Sequence, residues 1–237
     1  MNRFIFSIAG VLLCNIKITA QCIDCNLFPK KSAQVLFVKT SNDSSTTGEL
    51  FLYQRSSKKA KWKIVDSFHV TVGRSGLAWD EKSGLLPQSG AVTKKEGDGK
   101  SPAGIFKLGP VFSYNKIEKI KMPFQQVDTT DICVDDAGSI YYNRLIDVDT
   151  LAYKDWNSFE YMRRNDALYE YGIWVQYNSD KIFAGKGSCI FLHVWNNDST
   201  PTSGCTAMSK ENMIKIIHWL DARKNPVLVQ VVDNRVD

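Results

Sequence analysis

Residues 190–209 read IFLHVWNNDSTPTSGCTAMS. Within this stretch His193 closes an apolar run, and Cys205 follows twelve residues later, directly after Gly204. The apolar run predicts a buried strand that holds His193 rigidly, whereas the proline, glycine and small hydroxyl residues before Cys205 indicate a tight turn. A strand and a turn in this order can bring an imidazole and a thiol into one site.

A neighbouring imidazole and thiol are the parts of a nucleophile and its base. A free thiol has a pKa of about 8.5, so an imidazole that takes its proton raises the reactive fraction near pH 7. We interpret Cys205 as the candidate nucleophile and His193 as the candidate base. If the turn aims the amides of Gly204 and Cys205 at one point, they form an oxyanion hole for acyl transfer. The alternative is a structural cysteine beside a satisfied core histidine.

The first twenty residues have the pattern of a secretory signal peptide. Arg3 supplies a positive charge, residues 4–13 are almost wholly apolar, and Ala20 offers a small residue at a cleavage site. The apolar run is shorter than a typical membrane span. We therefore expect an exported protein of the periplasm or cell envelope, with a signal peptide over residues 1–20.

Two further expectations concern the mature chain. An N-terminal segment is expected over residues 21–33 and a single catalytic domain over residues 34–237. A lipoprotein anchor is the alternative to a cleaved signal, but Cys14 and Cys22 lack the small preceding residue that such processing normally requires.

The charge of the mature chain is only mildly basic. Cleavage after Ala20 removes Arg3 and Lys17 and no acidic residue, so the formal net charge falls from +5 to +5 − 2 = +3. The lysine pairs are short and scattered, which is typical of solvated loops. We find no nucleic-acid signature in the sequence.

Five cysteines would remain in a compartment where disulfides persist, and an odd number leaves one thiol over. We expect Cys205 to be that free thiol and some or all of the others to be paired. The pairing stays open, because Cys22 and Cys25 can bridge each other or reach Cys133 and Cys189. A zinc site at Cys22 and Cys25 would lack a second close pair of ligands, so no metal is expected.

The pattern of apolar residues predicts a mainly β domain. Aromatic and β-branched residues predict an opening β-meander and a closing strand, at residues 34–39, 49–54, 62–72 and 226–232. A helix is predicted over residues 156–171, and a second from a cap at Ser209 to about Ala222. Four residues of the second helix form one apolar face that we assign to the core: Met213, Ile216, Ile217 and Leu220.

A glycine-rich stretch, GDGKSPAG at residues 97–104, lacks the spacing of a phosphate-binding loop. We predict a turn-rich wall of the cleft there, with Asp98 capping the turn and Ile105 entering the next strand.

These residues, in their order along the chain, resemble the L,D-transpeptidase catalytic domain of the YkuD type. The resemblance covers residues 34–232. It rests on His193 with TSGC at residues 202–205, and on upstream patches that read GRSGL at 73–77, KEGDGKSPAGIF at 95–106, YYNR at 141–144, RNDALY at 164–169 and QYN at 176–178.

The resemblance implies a mainly β (α+β) fold, with mixed sheets around a catalytic cleft and a few peripheral helices. It also implies a cysteine enzyme that acts on peptidoglycan stem peptides without a cofactor. Cys205 would attack the carbonyl of the third residue of a tetrapeptide and release D-alanine, with His193 as the base. The acyl group would then pass to an amine, giving a 3→3 cross-link, or to water. A carbapenem is expected to form an adduct at Cys205.

This sequence departs from the commoner family pattern at two positions. Ser203 stands where many members carry a histidine, and Ala207 where many carry an arginine or asparagine. A different set of residues must then bind the substrate, and a guanidinium suits a carboxylate. The candidate site comprises Cys205, His193, Gly204 and Ser203 for catalysis, and Arg74, Asn143, Arg164 and Thr202 for substrate binding.

Three functions are carried forward. The first is an exported L,D-transpeptidase, and the second is a related L,D-carboxypeptidase or amidase that uses water as the acceptor. The third is an inactive wall-binding module. The joint presence of Cys205, His193 and Gly204 favours an enzyme over a binding module, whereas the choice of acceptor depends on cleft shape and water exclusion.

Overall fold

The computed structural model describes residues 25–83, 85 and 90–233. The predicted signal peptide lies outside the described residues. Strands dominate this part of the chain, and its α-helix, α1, spans Lys210–Trp219. The strands are β1 (Gln34–Thr40), β2 (Thr47–Gln54), β3 (Lys63–Thr71), β4 (Leu77–Trp79), β5 (Ser101–Ser113), β6 (Phe124–Gln126), β7 (Asp131–Val134), β8 (Leu145–Asp147), β9 (Phe159–Tyr161), β10 (Tyr171–Val175), β11 (Phe191–Val194), β12 (Thr206–Met208) and β13 (Val227–Val232).

The larger sheet closes on itself. Its strand order is β10-β11-β12-β3-β2-β1-β13-β5-β4, and β5 pairs with β10 as well, which joins the two sides. β13 is parallel to β1 and antiparallel to β5. The last strand of the described chain therefore lies in the middle of the sheet, next to the first.

The α-helix fills one opening of this sheet with its apolar face. Met213, Ile216, Ile217 and Leu220 are fully buried in the main hydrophobic cluster, as the sequence predicts. The side chain of Ser209 accepts a hydrogen bond from the amide of Asn212 and so caps the first turn. Burial of four such side chains stabilises the helix far more than its intrinsic propensity could.

A second, three-stranded sheet has the order β8-β7-β9. β7 is buried along its whole length and carries Cys133, which forms a disulfide with Cys189 just before β11. The disulfide therefore attaches the small sheet to the large one beside the segment that leads to His193. Cys25 is disulfide-bonded as well.

Most of the predicted strands are confirmed. The meander forms β1, β2 and β3, and the closing strand forms β13, each within a few residues of the prediction. The mainly β fold with mixed sheets is also confirmed. Among the described residues, no helix combines the length and the apolar character that a bilayer span requires.

The helix predicted over residues 156–171 is wrong. That stretch contains β9 and a turn, and it ends as β10 begins. Phe159, Met162 and Leu168 are spaced three and six apart, so they do not repeat a helical stripe. β9 instead pairs with β7, and Ala167 takes a left-handed conformation at φ 59°, which interrupts regular structure.

Two predicted boundaries also shift. α1 ends at Trp219, because Leu220 adopts an extended backbone, and Ala222 belongs to a separate 3-10 turn at Ala222–Lys224. In the glycine-rich stretch, Asp98 caps the turn as predicted by accepting from the amides of Lys95 and Lys100, each at 2.8 Å. The following strand, β5, begins at Ser101 rather than at Ile105.

Candidate active site

The turn that carries Cys205 is held against the end of β3. The amide of Thr202 donates to the carbonyl of Val72 at 2.9 Å, and its carbonyl accepts from the amide of Arg74 at 2.8 Å. The Thr202 hydroxyl donates to the carbonyl of Cys205 at 2.6 Å and accepts from the amide of Gly204 at 3.1 Å. Thr202 therefore organises the turn itself.

A second hydroxyl supports the same carbonyl. Ser101 donates to the Cys205 carbonyl at 2.8 Å, and its oxygen accepts from the amide of Gly73 at 2.8 Å. Ser101 lies at the start of β5 and is fully buried. Together Ser101 and Thr202 fix the peptide that follows the nucleophile.

Gly204 allows the backbone of Lys100 to approach the turn. A Cβ atom at this position would lie 3.2 Å from the carbonyl oxygen of Lys100 and 3.4 Å from Cδ1 of Ile190. The Gly204 amide already donates to the Thr202 hydroxyl. The predicted oxyanion hole would therefore need Thr202 to release this amide when a substrate binds.

Cys205 is a free thiol, as predicted, and it is buried at 6 % exposure. Its sulfur accepts from the amide of Phe191 at 3.3 Å, and its S–H faces the carbonyl of Cys189 at 3.5 Å. Burial is the main reason that the pKa of the thiol is raised, and the charge of Glu160 adds to it. The thiol is therefore protonated in the resting protein.

His193 is positioned to act as a base toward the cleft. Its Nδ1 lies 2.7 Å from the carbonyl oxygen of Val194, and because a carbonyl can only accept, Nδ1 carries the proton. Nε2 is left as the acceptor. Burial lowers the pKa of His193 to about 4, so the ring is neutral.

His193 and Cys205 meet because their strands are neighbours. β11 and β12 are parallel, and His193 is paired with Ala207, two residues after Cys205. Both side chains line one cleft with a volume of about 410 Å³. Six charged residues line it as well: Arg74, Lys94, Glu96, Asp135, Glu160 and Arg164.

A sequence model of the L,D-transpeptidase catalytic domain (YkuD) matches residues 43–229. The chain belongs to this family. The match spans both sheets, the cleft and the whole turn around Cys205. A comparison with curated proteins gave no match.

Three of the predicted substrate-binding residues line the cleft of this L,D-transpeptidase domain, and so does Ser203. Arg74 is exposed, and its Nη1 donates to the hydroxyl of Ser203 at 3.1 Å. Arg164 instead binds Asp166 through Nε and Nη2, an ion pair that lowers the pKa of Asp166. Arg74 is therefore the guanidinium that is more readily available to a ligand, and Thr202 serves the turn.

Asn143, the fourth predicted substrate-binding residue, is absent from the lining of the cleft. Its side-chain amide donates to the carbonyls of Tyr177 and Asn178 at 3.0 Å and 2.9 Å, and its oxygen accepts from the amide of Cys189 at 2.9 Å. The residue is buried and its hydrogen-bonding groups are used. Asn143 thus supports the disulfide-bonded segment behind the nucleophile rather than the ligand side.

Several residues of the L,D-transpeptidase cleft were not singled out from the sequence. Lys94 is 4 % exposed and pairs with Asp98 at 2.7 Å, and the KEGDGK motif beside it was the available signal. Tyr169 and Glu160 line the cleft too, but neither stands in a local pattern that marks it. In the described ranges, no group of three or more His, Cys, Asp and Glu side chains is arranged to hold a metal ion.

Proposed function

We propose that this protein is an exported L,D-transpeptidase of the bacterial cell wall. Cys205 attacks the carbonyl of the third residue of a tetrapeptide stem, releases D-alanine and passes the acyl group to an amine of a neighbouring stem. The observation that carries this proposal is a free thiol and a neutral imidazole, with Nε2 as its acceptor, in one cleft. Membership of the L,D-transpeptidase catalytic domain family supports it.

Each proton in this reaction has a defined place. Nε2 of His193 takes the thiol proton while the Cys205 sulfur bonds to the carbonyl carbon. When the tetrahedral intermediate collapses, the C–N bond to D-alanine breaks, and the imidazolium returns its proton to the leaving amine. The acceptor amine then attacks the thioester, loses a proton to His193 and expels the thiolate, which regains that proton.

The neutral resting state of both groups suits such a sequence. Charge would develop on Cys205 and His193 only after the substrate has displaced water from the cleft, where an ion pair is stronger. Arg74 is the residue that we assign to a substrate carboxylate, because it lines the cleft and stays exposed. An adduct with a carbapenem at Cys205 belongs to the same proposal.

Hydrolysis is the second candidate. An L,D-carboxypeptidase or amidase would form the same thioester and pass it to water. The acceptor is therefore an outcome of the experiment. A wall-binding module would need neither the free thiol nor the fixed imidazole tautomer.

The first test is mass spectrometry of defined tetrapeptide muropeptides incubated with the purified protein. Cross-linked dimers that lack one D-alanine are expected, and Cys205→Ala should form none because the nucleophile is gone. His193→Ala should lower turnover by at least about a hundredfold, the scale of a general base.

The matched control is His218→Ala, since His218 is exposed on α1 and lies outside the cleft lining. It should leave the rate unchanged. Tripeptide monomers would favour the hydrolase, and unchanged substrate with the wild-type protein, or cross-linking by Cys205→Ala, would contradict the proposal.

A further inference from the structure

The hydroxyl of Tyr169 lies between the nucleophile and a buried carboxylate. Its O–H donates to Oε2 of Glu160 at 2.5 Å. Tyr169 and Cys205 belong to one hydrophobic cluster and line the same cleft. The hydroxyl is also within hydrogen-bonding reach of the Cys205 sulfur, where it lowers the pKa of the thiol.

The ring of Tyr169 is held on several sides. It packs edge-on against Phe191 and His193, with ring centroids 5.4 Å and 5.0 Å away, and the guanidinium of Arg164 lies 5.1 Å from its centroid. The residue is 5 % exposed. Because the ring is fixed, the hydroxyl can change its partner only by rotating its O–H bond.

Glu160 reaches this hydroxyl from the small sheet. It lies on β9 opposite Cys133. Burial raises the pKa of Glu160, the charges of Asp135 and Glu96 raise it further, and Tyr169 and Arg164 oppose them. Toward the sulfur, Glu160 disfavours the thiolate whereas Lys94 favours it.

We propose that Tyr169 is a further catalytic residue, whose hydroxyl turns from Glu160 to the Cys205 sulfur when the thiolate forms, and that Glu160 controls this turn through its own proton. The thiol proton goes to Nε2 of His193, and Tyr169 keeps its own. A protonated Glu160 then donates to the Tyr169 oxygen, so the chain runs from Glu160 through Tyr169 to the sulfur. An ionised Glu160 instead holds the Tyr169 proton and repels the thiolate.

This inference rests on the proposed function, because it takes Cys205 as the nucleophile. It goes further in giving the two partners opposite effects. Tyr169 stabilises the thiolate, since a hydrogen bond to a charged group changes an equilibrium by about tenfold to a hundredfold. The carboxylate of Glu160 opposes the thiolate both by its charge and by competing for the same O–H.

The test is the rate at which iodoacetamide alkylates Cys205 as a function of pH, read by mass spectrometry on the full chain with its disulfides intact. Tyr169→Phe should slow labelling at pH 7.5 by about tenfold or more and raise the apparent pKa of Cys205. Glu160→Gln should do the opposite, because its amide carries no charge and can donate to the Tyr169 oxygen.

The matched control is Tyr177→Phe. Tyr177 is also buried, and its hydroxyl donates to the carbonyl of Lys186 outside the cleft lining. This variant removes a comparable buried hydroxyl and should leave the labelling profile as in the wild type. A merely structural role of Tyr169 would give the same result for both tyrosine variants.

An unchanged profile in Tyr169→Phe would overturn the inference, and so would slower labelling in Glu160→Gln. If Tyr169→Phe lacks a cooperative unfolding transition, the sign of the Glu160→Gln effect decides. Failure of the proposed function is seen separately, as turnover that persists in Cys205→Ala.

Discussion

Burial keeps both reactive side chains uncharged at the residue scale. His193 has a pKa of about 4 and Cys205 a raised one, and in each case desolvation is the largest cause. A resting imidazolium–thiolate pair is therefore disfavoured. The protein stores a neutral pair whose proton moves when a substrate is in place, which protects the thiol from oxidants that attack thiolates.

The buried imidazole should make stability fall in acid. The unfolded chain takes up a proton at His193 below about pH 6.5, whereas the native protein does so only near pH 4, so stability falls as the pH drops through this window. The difference corresponds to about 3 kcal/mol. Urea unfolding of wild type and His193→Gln at pH 7 and pH 4.5 measures it, and the variant should lose less stability.

The matched control for that measurement is His218→Gln, whose imidazole is exposed on α1. It should show the pH dependence of the wild type. Equal pH dependence in His193→Gln and the wild type would contradict the account of a buried neutral histidine.

At the scale of elements, the small sheet supplies parts of the active site that the large sheet lacks. β9 carries Glu160, and β7 carries the disulfide to Cys189. Cys189 takes a left-handed conformation at φ 52°, and its carbonyl faces the thiol of Cys205. The bond between the sheets therefore holds an unfavourable backbone conformation beside the nucleophile.

Removal of this bond should lower both stability and activity. The double variant Cys133→Ser/Cys189→Ser avoids new free thiols next to Cys205. We expect it to unfold with about 2–4 kcal/mol less free energy, because the closed loop of the unfolded chain is opened. Its rate with muropeptides should fall as well, since Cys189 is no longer held against the thiol.

The control for the double variant is Ser209→Ala, which removes the cap of α1 and costs about 1 kcal/mol. It should weaken the fold without a change in rate. If the disulfide variant keeps the wild-type rate while it is destabilised, the bond has no part in positioning the site.

Local signals explain which elements could be predicted from the sequence. β1, β2, β3 and β13 are apolar or alternating runs bounded by turn residues, and α1 has a cap and a regular stripe. Residues 156–171 have no such regularity. Their structure depends on β7, which lies more than twenty residues earlier, and a single sequence does not reveal that pairing.

The same distinction holds for the candidate site. The turn of Cys205 and its glycine are contiguous in sequence, and the histidine lies on the adjacent strand. Ser101, Glu160 and Tyr169 come from three separate segments and reach the turn through sheet closure and packing. Asn143 was placed on the substrate side because polar side chains bind ligands, yet buried backbone groups claim its amide.

On the scale of the whole molecule, the fold depends on its last strand. β13 lies between β1 and β5, so the closed sheet is incomplete until the end of the chain is in place. Gln230, fully buried on β13, accepts from the hydroxyl of Thr206 at 2.7 Å and donates to the carbonyl of Pro102 at 2.8 Å. Such long-range pairing is typical of slowly folding β proteins.

A chain truncated after Asn225 should therefore fail to fold. It would lose β13, leave two strands unpaired and expose the apolar side chains of the core. Circular dichroism during urea titration should show no cooperative transition, while the full chain, as the control, shows one. Cooperative unfolding of the truncated chain would show that the sheet can close without its central strand.

The neighbourhood of Cys205 and the disulfide also matters for preparing the enzyme. Cys133, Cys189 and Cys205 share one hydrophobic cluster, so oxidation can join them in three ways. The three isomers have the same mass, but only the pairing of Cys133 with Cys189 leaves the nucleophile free. Specific activity of a homogeneous, correctly sized sample consequently reports the fraction of correctly paired molecules, and a non-reducing peptide map should precede any comparison of variants.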